Sequence, residues 1–436
     1  MTAREEWPAA GASRAPAAQV PPQGGGTPGF VRSGIWFGSA IAAATVLNAI
    51  FQVALARLTN PGKYSLLVTL FAAIFVLGVP ALAVQTAAAR DVATRLAEAD
   101  EAGAAAVIRS IGRQVLVVFA VGCGIAVAAG FAAAPFLQLQ HPWPLVWTAV
   151  AVAASFELAV VYGALQGMQR IGTLGLAQLG HVVLKLGLGL TLAALGAGVA
   201  TLMFALAISA VVTLGAALVP LRRLLATHAV HTARPPLFNR YSSGVAGALG
   251  IFAILTTLDL LVARASFTPE VAGAYAAASV VARALLIVPS TVTTVLFPHV
   301  STLGDRVRER RHLLGALAAT AGLAGLAAVL LAAFPHALLD LVFGHAYVQA
   351  APWLWELALA MTLYALAYIY LFHFLAVGRI GYLFVAGPIV VVQGVFYALL
   401  HTRPLQLIVL QIGAAAALLV SSELFDRSAE LEPAEA

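Results

Sequence analysis

Gln178, His181 and Lys185 stand at i, i+3 and i+7 in an otherwise apolar run, so a helix through them presents all three on one face. A carboxamide, an imidazole and an ammonium on one stripe can hold an anion or pass a proton. Lys185 falls roughly 18 Å along a helix begun near residue 173, too deep for easy snorkelling to an aqueous interface. A second cation, Arg283, lies roughly 15 Å from the nearer end of its own apolar run, with Ser279 one turn away. Ionisable groups at such depth cost about 3 kcal/mol on insertion scales and face bundle interiors or wet cavities.

A second tier of polar residues accompanies them. Asn48 and Gln52 are spaced i, i+4 and lead to Arg57; Glu157 is followed by Tyr162 and Gln166; Asp259, Glu356, Tyr364 and Tyr368 lie in other apolar runs. Two readings of the deep charges stay open. Lys185 could pair with Glu157, and Arg283 with Asp259, as structural ion pairs. Alternatively the two cations, from opposite halves of the chain, line a shared cavity that attracts an anion. Glu157 and Asp259, with His181, are then the groups able to respond to a coupling ion. Arg57 at a helix end could simply reach the interface, and the tyrosines could be interhelical hydrogen bonders.

The elements that must position these side chains follow from composition. Of 436 residues 61% are hydrophobic and 10% are charged, and mean hydropathy is +0.95; soluble domains carry about 25% charge. A water-soluble globule is excluded. Twelve apolar runs, at about 34–56, 64–84, 114–134, 144–166, 173–196, 199–220, 241–263, 273–297, 313–334, 351–374, 380–400 and 404–424, are long enough to span. Strand-like alternation is absent, so the fold expected is an all-α integral membrane protein of twelve transmembrane helices.

Cation placement orients them. With both termini cytoplasmic, 18 of the 24 Lys and Arg fall inside, Arg57, Lys63, Arg264 and Arg403 fall outside, and Lys185 and Arg283 fall within spans. The division expected is a disordered cytoplasmic tail (1–33), a six-helix lobe (34–220), a cytoplasmic linker (221–240), a second six-helix lobe (241–424) and a cytoplasmic tail (425–436). Equal halves with the same starting side can be related by a pseudo-two-fold axis along the membrane normal. A weak repeat agrees: the first span exits through Ala56, Arg57, Pro61 and Tyr64, the seventh through Ala263, Arg264, Pro269, Gly273 and Tyr275.

Several chemistries are excluded or disfavoured. One cysteine, Cys123, forms no internal disulfide. The Gly167 to Gly172 stretch continues into Thr173 without the lysine of a phosphate loop, and His228 and His231 have no further metal ligand nearby. No cofactor, metal, nucleic-acid partner or enzymatic activity is expected. The cluster Arg306, Arg308, Arg310 and Arg311 reads as a topology signal with attraction to anionic headgroups. The segment around 89–103 reads as a charged helix lying at the surface. Pro289 and Pro388 favour kinks, and the Gly34/Gly38 and Gly244/Gly247/Gly250 faces are expected to let helices approach closely.

Three stretches carry a family likeness. ALARLTNPGKYSLL (54–67), QTAAARDVA (85–93) and LDLLVARASFTPEVAGAYAAASVVARALLIVPSTVTTVLFPHVS (258–301) resemble the polysaccharide-transporter branch, O-antigen flippases included, of the multidrug/oligosaccharidyl-lipid/polysaccharide (MOP) superfamily. The resemblance implies two six-helix lobes in a V around a central cavity. It also implies alternating-access export of a polyprenyl-pyrophosphate-linked oligosaccharide across the cell membrane for surface polysaccharide assembly, by a monomer that meets a polymerase or glycosyltransferases. By position Lys185 and Arg283 match the cationic cavity residues of such a carrier, and Arg57 and Arg90 match basic positions of its first lobe. A cation-coupled multidrug exporter of the same superfamily, or a non-transporting membrane scaffold for polysaccharide or cell-wall synthesis, are the alternatives.

Overall fold

A computed structural model describes residues 28–227, 240–300 and 306–431. Among these, regular structure is helical throughout: α1 (Pro28–Leu58), α2 (Pro61–Ala97), α3 (Glu101–Ala133), α4 (Trp143–Gly167), α5 (Ile171–Ala194), α6 (Val199–Leu218), a short α7 (Arg222–Leu225), α8 (Arg240–Ser266), α9 (Pro269–Arg283), α10 (Ile287–Val300), α11 (Arg306–Ala333), a short α12 (Pro335–Val342), α13 (Ala351–Ala376), α14 (Leu383–Leu399) and α15 (Pro404–Leu431). Lipid offers no partner to a free amide, so each crossing closes its own hydrogen-bond ladder. Among the described residues eleven segments are long and apolar enough to cross a membrane, and α14 is a shorter apolar helix, which together match the twelve expected spans. Most of the 1–33 tail, His228, His231 and most of the 221–240 linker lie outside the described residues.

α9 and α10 form one crossing broken by a 3-10 turn at Ala284–Leu286. The cause is Pro289, which has no N–H for the carbonyl four residues earlier. The expected surface helix near 89–103 is absent as a separate element. α2 instead continues to Ala97 and α3 begins at Glu101. At 37 residues, α2 is about 55 Å long against a hydrocarbon layer of about 30 Å, so one end stands clear of lipid. The reversal is held by Asp100, which accepts from the Gly103 N–H at 2.7 Å and from Arg95 at 3.2 Å.

The helices pack as two repeats of one plan. In the first lobe α1 packs on α5, α2 on α4, α3 on α4, α4 on α6 and α5 on α6; in the second the corresponding pairs are α8 on α14, α9 on α13, α11 on α13, α13 on α15 and α14 on α15. The lobes meet where α2 packs on α8 and α9. One apolar core joins the second lobe to the Phe51–Leu70 end of the first, while residues 81–115 and 152–174 belong to a separate core of the first lobe. Cohesion between lobes is therefore concentrated at the end remote from the chain termini.

Close helix approaches occur at glycines outside the faces singled out in the sequence. Gly38 and Gly250 face open space and Gly247 meets only Leu383. A Cβ on Gly163 would stand 2.4 Å from the Gln85 carbonyl oxygen, and one on Gly167 would stand 2.5 Å from that of Ala89. Two glycines four apart thus seat α4 on α2 in the small-xxx-small manner.

Candidate binding site

The stripe on α5 opens into a recess of about 340 Å³ lined by Gln178, His181, Val182 and Lys185 of α5, Ile41, Ala44, Thr45 and Asn48 of α1, and Tyr162 of α4. α5 lies close to α1 because glycines face the contact: a Cβ on Gly189 would stand 2.6 Å from the Phe51 ring, and Gly175 packs beside Ala40 and Phe37. Phe51 so placed sits under the Lys185 ammonium, 5.1 Å from ring centroid to Nζ, within cation–π range. Lys185 donates a hydrogen bond to Asn48 Oδ1, and the Asn48 amide donates to the Ala44 carbonyl at 2.9 Å. Asn48 is thereby fixed with its oxygen toward the ammonium.

Among the described residues the charge of Lys185 is met by neutral groups. Glu157 makes no ion pair with it: that carboxylate faces Gly112 of α3, 3.4 Å from where a Cβ would lie, and its Oε1 is buried without a hydrogen-bond partner among the described residues. Tyr162 brings a hydroxyl that is likewise buried and unpartnered. A buried donor without a partner forfeits about 1–3 kcal/mol, so the recess holds hydrogen-bonding capacity that a ligand or water can take up. Ammonium, phenol hydroxyl, imidazole and carboxamides together make a donor-rich pocket, suited to an anion of modest size.

The remaining site candidates lie elsewhere. Arg283 does not reach the recess. Its Nη2 is 2.5 Å from Asp259 Oδ1, its Nε donates to the Thr256 carbonyl at 2.8 Å, and Tyr275 donates to Asp259 Oδ2 at 2.9 Å. Asp259 is fully buried. The structural-pair alternative thus describes Arg283 in this structure, and the expected meeting of both deep cations in one chamber is not seen. Arg57 donates to the Leu341 and Val342 carbonyls at the end of α12, far along the chain. Arg90 is exposed on α2. Gln52 follows Asn48 on α1, outside the recess lining, with Oε1 buried and unpartnered. Tyr364 donates to the Leu255 carbonyl at 3.2 Å, Tyr368 packs edge-on against Phe252, and Glu356 Oε2 is unpartnered.

One polar cluster escaped the sequence reading. Arg310 of α11, one of the cations that set the topology, pairs with Glu423 and Asp426 of α15; Tyr370 donates to Glu423, and His373 and Arg379 lie 3.7 and 3.8 Å from Asp426. The cluster binds α11, α13 and α15 near the chain termini. The signal available was the i, i+3 spacing of Glu423, in the last turn of the 404–424 run, and Asp426, just past it on a helix that runs to Leu431. Among the described residues no group of three His, Cys, Asp or Glu could hold a metal ion.

No protein-family model matches the sequence, and no curated protein matches it. Solved structures do. The lipid II flippase MurJ in an inward closed conformation is similar over 90% of this chain and 87% of its own, with a TM-score of 0.72 at 13% identity. An inward-facing multidrug resistance MATE family transporter of the MOP superfamily is similar over 90% and 96%, with a TM-score of 0.60 at 16% identity. The eukaryotic MATE transporter AtDTX14 is similar over 91% and 96%, with a TM-score of 0.58 at 14% identity. The chain therefore has the twelve-helix, two-lobe fold of MurJ and the MATE transporters.

Proposed function

We propose that the chain is a membrane transporter that moves a lipid-linked anion, of the polyprenyl-pyrophosphate oligosaccharide class, between leaflets by alternating access. The observation that carries this reading is the Lys185 recess: a deep ammonium with neutral partners, beside unpartnered or neutral donors. A pyrophosphate loses its hydration on leaving water, and a fixed cation among dipoles in a low-dielectric recess offsets part of that loss. The isoprenoid tail stays in lipid. Similarity of fold to a lipid II flippase supports the cargo class, and lobes joined at one end support the mechanism. In this reading both termini are cytoplasmic, the cell membrane is the site of action, surface polysaccharide is the product, and a polymerase or glycosyltransferases act next to it.

A cation-coupled multidrug exporter fits less well, because no carboxylate lines the recess and a cationic drug would meet Lys185. A scaffold that binds lipid intermediates without moving them uses the same recess but not the lobe geometry. Reconstituted proteoliposomes with a fluorescent polyprenyl-pyrophosphate saccharide separate the three. Transbilayer movement lost in Lys185→Ala supports the flippase, binding without movement supports the scaffold, and uptake of a lipophilic cation unaffected by Lys185→Ala supports the exporter.

A further inference from the structure

The two lobes exchange arginines at the end remote from the termini. Arg57 ends the first helix of the first lobe, and Arg264 stands near the end of the first helix of the second. Arg57 crosses to the second lobe, donating through Nε to the Val342 carbonyl at 2.9 Å and through Nη2 to that of Leu341. Arg264 crosses to the first lobe, donating through Nε to the Leu137 carbonyl at 3.3 Å and through Nη1 to Gly62 O at 3.5 Å and Ser65 Oγ at 3.3 Å. The acceptors are equivalent too: Leu137 lies between α3 and α4, Leu341 and Val342 between α11 and α13.

Each connection also returns a hydrogen bond. Tyr347, between α12 and α13, donates to the Ala56 carbonyl at 2.9 Å; Gln138, between α3 and α4, donates to the Phe267 carbonyl at 3.3 Å. Between these contacts the first turns of α2 and α9 cross. A Cβ on Gly62 would stand 2.8 Å from Pro269 Cβ, and one on Gly273 would stand 2.3 Å from the Pro61 carbonyl. Arg57, Pro61 and the 137–138 connection thus mirror Arg264, Pro269 and the 341–347 connection about the pseudo-two-fold, while Gly62 and Gly273 each give the crossing its close approach.

Among the described residues the acceptors are carbonyls and one hydroxyl, with no acid among them. Leu341 and Val342 close the last turn of α12, where carbonyls have no helical partner and carry the negative end of the dipole; a guanidinium fork answers two of them at once. Such bonds exchange with water when the lobes part, so the contact is firm when closed yet reversible.

We propose that Arg57 and Arg264 form a two-fold latch that holds this end shut, and that the end opens by releasing both arginines together. The latch stands whether or not the Lys185 recess takes an anionic lipid. The test uses the full chain in lipid nanodiscs, with Cys123→Ser and spin labels at Leu195→Cys and Leu400→Cys, exposed residues in the α5–α6 and α14–α15 connections. Electron–electron distance measurements read the separation of the lobes. Arg57→Ala and Arg264→Ala are each expected to raise the lobe-separated population about tenfold, the pair to raise it further, and Arg57→Gln and Arg264→Gln to lie between. A distance distribution unchanged in the double variant overturns the latch. So does a lowered melting temperature with no change in distances, the mark of a purely structural role. If the alanine variants fail to fold, the glutamine variants decide by the same two readings.

Discussion

Among the described residues Lys185 meets the carboxamide of Asn48 and the ring of Phe51, neither of which carries a counter-charge, whereas Arg283 meets the carboxylate of Asp259. Their substitutions therefore separate. Lys185→Ala removes the fixed positive charge and the cation–π contact but strands no buried charge, so the protein is expected to fold with transport of the labelled saccharide lipid cut at least about tenfold, and Lys185→Glu is expected to abolish it by repelling the cargo. Arg283→Ala leaves Asp259 buried and unpaired, a change that costs about 3–5 kcal/mol. Its melting temperature in detergent is expected to fall well below that of Lys185→Ala, and Arg283→Ala with Asp259→Ala is expected to recover most of the loss. Equal melting temperatures for Lys185→Ala and Arg283→Ala would remove this distinction. The stripe of Gln178, His181 and Lys185 was legible in sequence because helix periodicity fixes which residues share a face. Partner choice was not: whether Lys185 or Arg283 finds a carboxylate depends on the rotation of neighbouring helices, which no spacing within one helix encodes.

Helix seating turns on where side chains are missing. α4 presents Gly163 and Gly167 to the α2 backbone, with space for a hydrogen and nothing larger. Gly163→Leu is expected to push α4 off α2 and destabilise the first lobe by about 1–3 kcal/mol or more, whereas Gly250→Leu, facing open space, is expected to leave stability unchanged; thermal unfolding followed on the two variants checks both. The spans themselves were legible because the hydrocarbon layer demands about 20 apolar residues per crossing, a requirement independent of packing. The continuation of α2 to Ala97 and of α15 to Leu431 was not, since those turns have left lipid, and polar residues such as Arg95 or Glu423 end the hydropathy signal without ending the helix. Which glycines seat helices was not legible for a related reason: Gly247 and Gly250, three apart, and Gly163 and Gly167, four apart, each place small residues on one helix face, and only the partner backbone tells the two pairs apart.

At the scale of the whole molecule, two separate apolar cores and one shared end describe a hinge-like body, closed at the remote end and free to part near the termini. Ser65 and Thr69 are buried at the closed end, where Thr69 Oγ1 reaches the Leu260 carbonyl of the other lobe at 3.3 Å. Gln166, bonded to Gln85 at 3.3 Å across α2 and α4, is exposed toward the opposite end. A single thiol at either place, in a Cys123→Ser background, reads which end water enters. Gln166→Cys is expected to react with a membrane-impermeant maleimide only from the side that carries the termini, and Ser65→Cys from neither side. In the orientation proposed above, that side is the cytoplasm. If the lobes alternate, adding cargo shifts the pattern: reaction at Gln166→Cys slows while Ser65→Cys begins to react from the opposite side. Reaction at both sites from both sides would mean that the lobes enclose an open channel, and the two-state scheme would fail with it.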